Sequence, residues 1–72
     1  MAIRIEVERE DDGRWLAEVI GLPGVMAYGG AEREAIDKAK ALALRVIADL
    51  IEHGESMPEP LSSIFTVRAV TA

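Results

Sequence analysis

The hydrophobic pattern of this chain changes its period near residue 31, and that change constrains the fold more than any other feature. Before this point apolar and polar residues alternate, which is the pattern of half-buried β-strands. After it, apolar residues recur at intervals of three and four positions, as they do along one face of an α-helix. We therefore expect a sheet that forms from the first part of the chain and a helix that covers one of its faces.

Three short strands are predicted before residue 31. Apolar and polar residues alternate regularly in residues 3–9. They also alternate in residues 15–20, where the two faces differ less in polarity. Residues 25–28 form a third segment between turns. Asp12-Gly13 separates the first two strands, and this dipeptide favours a hairpin because glycine accepts a positive φ. The run Gly-Leu-Pro-Gly at residues 21–24 ends the second strand, since proline lacks the donor that a ladder needs.

One helix and a last strand are predicted after residue 31. The helix spans about 23 residues and ends before Gly54, a common stop residue. Pro58 and Pro60 predict a loop, and residues 63–70, rich in β-branched and aromatic side chains, predict a final strand. The order strand, strand, strand, helix, strand gives an α+β fold of two layers, with one long helix on a mainly antiparallel sheet.

The length of 72 residues predicts a single domain, residues 1–72, with one small core. A chain of this size hides only about 60% of the surface that its unfolded form exposes. It contains no cysteine, so disulfides cannot supplement the core. Because the sheet also has strand edges to cover, we expect a homodimer or a higher homo-oligomer.

The charge balance favours a protein partner. Thirteen acidic and eight basic residues give a net charge of -5, which repels a nucleic-acid backbone and attracts a basic protein. The chain has no apolar run long enough for a membrane helix, and its first residues do not form a signal peptide. We therefore expect a cytoplasmic protein without a membrane partner. The absence of Asn and Gln fits either a thermophilic source or a high genomic GC content.

No pattern identifies a catalytic or cofactor-binding site, so we expect neither an enzyme nor a bound cofactor or metal. His53 is expected to cap the helix C-terminus, and Gly29-Gly30 matches neither glycine-rich phosphate-binding pattern. A metal-dependent hydrolase is the weaker alternative. It would draw on the carboxylates of Glu6, Glu8, Glu18 or Asp37.

The densest acidic cluster comprises Glu8, Glu10, Asp11 and Asp12. Its spacing does not match a calcium loop, so it is expected to be a solvated hairpin tip, with a protein-docking patch and a metal site as alternatives. From their predicted position near the margin of the sheet, five residues are expected to contact a partner. These residues are Glu10, Asp11, Asp12, Arg14 and Tyr28.

An ordered set of short motifs covers nearly the whole chain: Asp-Gly-Arg-Trp-Leu-Ala-Glu-Val at residues 12–19, Gly-Leu-Pro-Gly-Val at 21–25, Glu-Ala-Ile at 34–36, Gly-Glu at 54–55 and Pro-Glu-Pro at 58–60. In this order the motifs resemble the HicB family of toxin–antitoxin antitoxins. The residues that carry the motif structure are Gly13, Trp15, Leu22, Pro23, Gly24 and Gly29.

The resemblance implies a degenerate, partial ribonuclease H-like fold of β-β-β-α-β order. It also implies a non-catalytic antitoxin that binds and neutralises a small basic RNA-cleaving toxin of the HicA type. An orphan homo-oligomeric HicB-like protein is the alternative. Fold similarity to a nuclease does not transfer nuclease activity.

The chain departs from the family pattern at two places. Gly29-Gly30-Ala31 stands where the family often has a side-chain N-cap, and loss of such a cap costs about 1 kcal/mol. Many members continue into a helix-turn-helix or ribbon-helix-helix domain, whereas these 72 residues are expected to contain no separate DNA-binding domain.

Overall fold

A computed structural model describes residues 2–59 and 61–71. Within them, three strands precede one long helix: β1 spans Ile5–Arg9, β2 spans Trp15–Val19, β3 spans Met26–Gly29 and α1 spans Glu32–Glu52. A short 3-10 helix follows at Leu61–Ser63. The first three predicted strands, their order and the long helix are confirmed, and the fold is of the α+β class.

The three strands form one antiparallel sheet in the order β1-β2-β3. Ala17 in the middle of β2 pairs with Val7 on one side and with Ala27 on the other. The β1–β2 turn contains Gly13 at a φ of 88°, a conformation that a residue with a Cβ rarely adopts. Gly24 has a φ of 79° in the next turn, so both turns use glycine as the sequence predicts.

The core lies between one face of the sheet and α1. The helix contributes a row of small residues, Ala35, Ala39 and Ala43, which are at most 4% exposed. Small side chains let the helix backbone approach the sheet closely, and the apolar side chains of β2 fill the layer between them. Trp15 is half-buried and packs against this core, so it contributes to packing. The buried core residues are Ala17, Val19, Leu22, Val25, Ala35, Ala39, Ala43, Ile47 and Leu61.

Gly29 is required where β3 passes beneath the start of α1. A Cβ added to Gly29 would lie 2.6 Å from the backbone nitrogen of Ala35, which is closer than non-bonded atoms approach. The requirement is therefore steric, and it fixes how near the helix N-terminus lies to the sheet.

The start of α1 is stabilised without an N-cap side chain. Ala31 occupies the N-cap position and has no side-chain oxygen. Instead, the backbone N–H of Gly30 donates a hydrogen bond to Glu34 Oε1 over 2.6 Å. This is the reaching-back half of a capping box, in which a glutamate near the third helical position satisfies a backbone donor ahead of the helix. Glu34 thus compensates in part for the cap that the sequence lacks.

The predicted last strand, residues 63–70, is not a strand in the described chain. Its beginning forms the 3-10 helix, where Leu61 is 1% exposed and anchors the loop to the core. Residues 65–71, named the tail below, make no hydrogen bond to the sheet within the described ranges. Phe65, Val67 and Val70 are 62%, 94% and 78% exposed. The sequence pattern was therefore wrong about secondary structure here, because a strand also needs a partner edge.

The overall dimensions reflect an elongated molecule. The principal extents are 57 × 20 × 17 Å and the radius of gyration is 14.9 Å, whereas a compact chain of this length has a radius of gyration of about 11 Å. None of the described helices is long and apolar enough to cross a lipid bilayer.

Candidate protein-binding surface

The helix covers only one face of the sheet. Strand side chains alternate between faces, so the residues that neighbour Val7, Ala17 and Ala27, which lie on the core side of the sheet, point the opposite way. We call this uncovered surface the open face. It comprises Glu6, Glu8, Leu16, Glu18, Met26 and Tyr28.

The open face consists of two rows that run across the three strands. In one row Glu8 pairs with Leu16, and Leu16 pairs with Tyr28. The other row joins Glu6, Glu18 and Met26 in the same way. Both rows begin with a carboxylate on β1 and end with an apolar or aromatic side chain on β3. The open face is therefore acidic along β1 and apolar along β3.

The acidic side of the open face has unbalanced charge. Glu6 and Glu18 lie directly opposite each other on neighbouring strands, and like charges in such pairs are destabilising. Arg4 Nη2 lies 2.9 Å from Glu6 Oε2, but both side chains are more than half exposed, and an exposed ion pair contributes little. Glu18 has no ion-pair partner among the described residues. A basic group from outside would relieve this repulsion.

A shallow hollow of about 340 Å³ lies between the carboxylates, lined by Glu6, Val7, Glu8, Leu16 and Glu18. It is too open for a buried small-molecule site, which normally encloses most of its ligand. A lysine or arginine side chain suits it better, because a flexible stem can cover Leu16 while the charged end reaches the carboxylates.

The apolar side of the open face is exposed to solvent. Met26 is 39% exposed and Tyr28 is 42% exposed, and Leu16 between the carboxylates is half-buried. Aromatic residues and methionine are enriched in the centres of protein interfaces, where their burial contributes strongly to binding. Together the two sides of the open face provide charge and apolar area for one protein partner.

The hairpin tip next to the open face is held by Asp12 and Arg14. Asp12 accepts two hydrogen bonds from Arg14, at 3.0 Å from the backbone N–H to Oδ1 and at 2.7 Å from Nε to Oδ2. The backbone hydrogen bond, reinforced by the side-chain one, lowers the pKa of Asp12 below its ordinary value of 3.8. The guanidinium carbon of Arg14 in turn lies 4.3 Å from the centre of the Tyr28 ring.

Three of the five residues predicted to contact a partner are therefore in one chain of contacts, Asp12 to Arg14 to Tyr28. Glu10 and Asp11 lie in the same hairpin, where the N–H of Glu10 donates to the carbonyl oxygen of Arg14 over 2.7 Å. Among the predicted motif residues, Leu22 is 3% exposed, whereas Pro23 lies exposed in the turn. Of the five predicted contact residues, Tyr28 lies on the open face, and the other four lie in the hairpin that borders it.

The sequence pattern does not single out Leu16 and Met26 as surface residues, and it suggests Glu6 and Glu18 only as metal ligands. Glu8 also belongs to the acidic cluster for which a protein-docking patch is an alternative. A usable signal was present in β2, whose two faces are both partly apolar. A strand with apolar residues on both faces is stabilised when both faces are buried, and α1 buries only one of them.

The carboxylates proposed for a metal-dependent hydrolase are not brought together as a set. Asp37 lies on α1, where it pairs with Arg33 Nε at 3.3 Å, and the three glutamates lie on the opposite side of the sheet. No three acidic, histidine or cysteine residues of the described ranges are placed to hold a metal ion. His53 lies at the end of α1 with Nδ1 2.8 Å from the carbonyl oxygen of Asp49.

Comparison with known proteins gives a distant relative. The chain is 28% identical over 69 residues to the UPF0150 protein Ta0767 of Thermoplasma acidophilum, and the similarity covers 96% of this chain and 100% of that protein. No protein-family model matches the chain, and no solved structure matches it significantly. The similarity to this relative therefore includes both the sheet and the helix that covers it.

Proposed function

We propose that this protein is a non-catalytic, HicB-like antitoxin that binds a small basic RNA-cleaving toxin of the HicA type through its open face. The observation that carries the proposal is the pair of rows on that face, with Glu6, Glu8 and Glu18 on one side and Leu16, Met26 and Tyr28 on the other. The ordered motifs that resemble HicB proteins support it independently. The full-length similarity to a UPF0150 protein is compatible with a small antitoxin-like protein.

The charge of the open face suits this kind of partner. A protein that cleaves RNA must hold phosphates, and it does so with lysine and arginine side chains. An acidic surface of complementary shape binds the same side chains and so competes with RNA for them. The net charge of -5 also speeds the encounter with a basic partner at low ionic strength. Neutralisation then needs no catalysis by the antitoxin.

The apolar side of the open face explains how such a complex would persist. Interface charges mainly set the rate of association, whereas dissociation depends on buried apolar and aromatic anchors. Tyr28, oriented by Arg14, and Met26 beside it are the anchors that this surface offers. We expect substitutions at these two positions to shorten the lifetime of the complex.

An RNA-cleavage assay tests the proposed function. The tagged chain is used to capture basic proteins from its native cells, and a captured protein that cleaves RNA is assayed with increasing amounts of the chain. Cleavage should be suppressed at stoichiometric amounts of the chain. The variant Glu18→Lys should weaken suppression at least tenfold, whereas Glu52→Lys, an equal charge change on the exposed helix, should leave it unchanged. Suppression that is equal for both variants would refute a role of the open face.

An orphan homo-oligomer is the second candidate function. The observation that favours it is the exposed apolar tail, since Val67 is 94% exposed. A stable self-association without any basic companion in the capture experiment would favour this alternative over the antitoxin.

A further inference from the structure

The tail carries a strand-like pattern without a ladder partner in the described chain. In an extended conformation, Phe65, Val67 and Ala69 would lie on one side and Thr66, Arg68 and Val70 on the other. The first side is apolar from Phe65 to Ala69. A segment of this kind exposed to solvent is a template for pairing with another strand.

The outer edge of β1 is the longest open edge of the sheet. Ile20 N–H donates to the carbonyl oxygen of Arg4, and Glu10 N–H donates to that of Arg14. These bonds fix the even-numbered residues of β1 as the ones hydrogen-bonded to β2. Ile5, Val7 and Arg9 therefore direct their backbone N–H and C=O groups outward. On β3, the hydrogen bond between Val19 and Val25 sets the opposite parity, so only Met26 and Tyr28 direct their backbone N–H and C=O groups outward.

An apolar groove accompanies the β1 edge on the helix side. It has a volume of about 220 Å³ and is lined by Ile3, Ile5, Lys40, Ala43 and Leu44. Leu44 is 66% exposed although it lies on α1 beside the sheet. A strand added to β1 would place every second side chain over this groove. Phe65 and Val67, on the apolar side of the tail, match the apolar lining of this groove.

The other side of an added strand would lie beside the acidic part of the open face. Arg68 is the only basic residue of the tail, and it would then lie next to the β1 carboxylates of Glu6 and Glu8. Charge and apolar character thus both match when the tail lies along β1 with its apolar side towards α1.

We infer that the tail of one molecule adds as a fourth strand to the β1 edge of a second copy, and that the second copy returns its own tail in the same way. The partner is a second copy because, within the described residues, the tail makes no hydrogen bond to its own sheet and leaves Phe65, Val67 and Val70 exposed. A reciprocal exchange of this kind closes as a symmetric dimer. It covers both the open edge and the exposed apolar residues, and it does not depend on the proposed function.

Cysteine cross-linking tests the pairing directly, since the chain contains no cysteine. One tagged chain carries Val7→Cys and a differently tagged chain carries a cysteine at residue 65, 66, 67, 68 or 69. Disulfides between the two tags should form more readily from positions 65, 67 and 69 than from 66 and 68, because Val7 faces the helix side. Absence of disulfides between the two tags, or disulfides formed equally from all five positions, would overturn the inference.

Light scattering with graded protein concentration provides the second measurement. The wild-type chain should be a dimer at micromolar concentration, and Val67→Asp should be a monomer at the same concentration. Val67 is almost fully exposed in the single chain, so this change should not unfold it. Ile51→Asp, at another exposed apolar position, should stay dimeric. A monomeric wild type, or a dimer that persists in Val67→Asp, would overturn the inference.

Discussion

The guanidinium carbon of Arg14 lies 4.3 Å from the centre of the Tyr28 ring, which joins the start of β2 to the end of β3. Tyr28 also lies opposite Leu16 in the β2–β3 ladder. The contact therefore links the acidic hairpin tip to the apolar side of the open face, and it holds the tyrosine ring where a partner could cover it.

The Arg14–Tyr28 contact should be measurable as a coupling energy. We expect a double-mutant cycle of Arg14→Ala and Tyr28→Leu, followed by urea unfolding, to give a coupling of about 0.5–1 kcal/mol, the range for exposed cation–π pairs. The Asp12–Arg14 ion pair is lost in Arg14→Ala and in the double variant, and it is kept in the wild type and in Tyr28→Leu. Its contribution therefore cancels in the cycle. A coupling indistinguishable from zero would contradict the contact.

Gly29 should tolerate no larger residue. A Cβ at this position would meet the Ala35 nitrogen at 2.6 Å, so we expect Gly29→Ala to lower the free energy of unfolding by about 1–3 kcal/mol, as overpacking does. Gly30→Ala is the matched control, because a Cβ there would come no nearer than 3.8 Å to Glu34 Oε1. Equal stability of the two variants would mean that α1 does not approach β3 this closely.

Asp12 should titrate at a lower pH when the chain is folded. The folded pKa of Asp12 is lowered, so its carboxylate stabilises the fold at pH values above the pKa that Asp12 has in the unfolded chain. This contribution is lost as the pH falls through the folded pKa. An NMR titration of the Asp12 carboxyl should give a midpoint below 3.8 in the folded chain and a return towards 3.8 in urea.

The same titration distinguishes the two causes of the Asp12 shift. The larger cause is the hydrogen bond from the backbone N–H of Arg14, which survives replacement of its side chain. We therefore expect Arg14→Ala to retain a lowered pKa at Asp12, though less lowered than in the wild type. A midpoint at the ordinary value in this variant would assign the shift to the guanidinium alone.

Local patterns in the sequence predict most of this fold. Alternation identifies β1, the Asp12-Gly13 dipeptide identifies the hairpin, and the change of period at residue 31 identifies α1 to within one residue at each end. Each of these features depends on residues close together in the chain, whose backbone preferences act locally. Gly29 is different in kind, since its requirement comes from contact with the helix and not from a turn.

The tail and the open face depend on information that is not local. Phe65 and Val67 have the composition of a strand, but composition does not specify which edge pairs with them. Leu16 looks like a core residue until the register shows that it lies on the face away from α1. The side chains of the open face come from three strands, so they become a surface only once the strand pairing is known.

The most direct test of the open face as a binding surface is paired affinity capture from the native cells, followed by mass spectrometry. Wild type, Glu18→Lys and Glu52→Lys serve as baits, and the latter two have the same net charge. We expect wild type and Glu52→Lys to recover one small basic RNA-cleaving protein in stoichiometric amount, and Glu18→Lys not to recover it. Recovery of that protein by all three baits, or by none, would contradict a binding role of the open face.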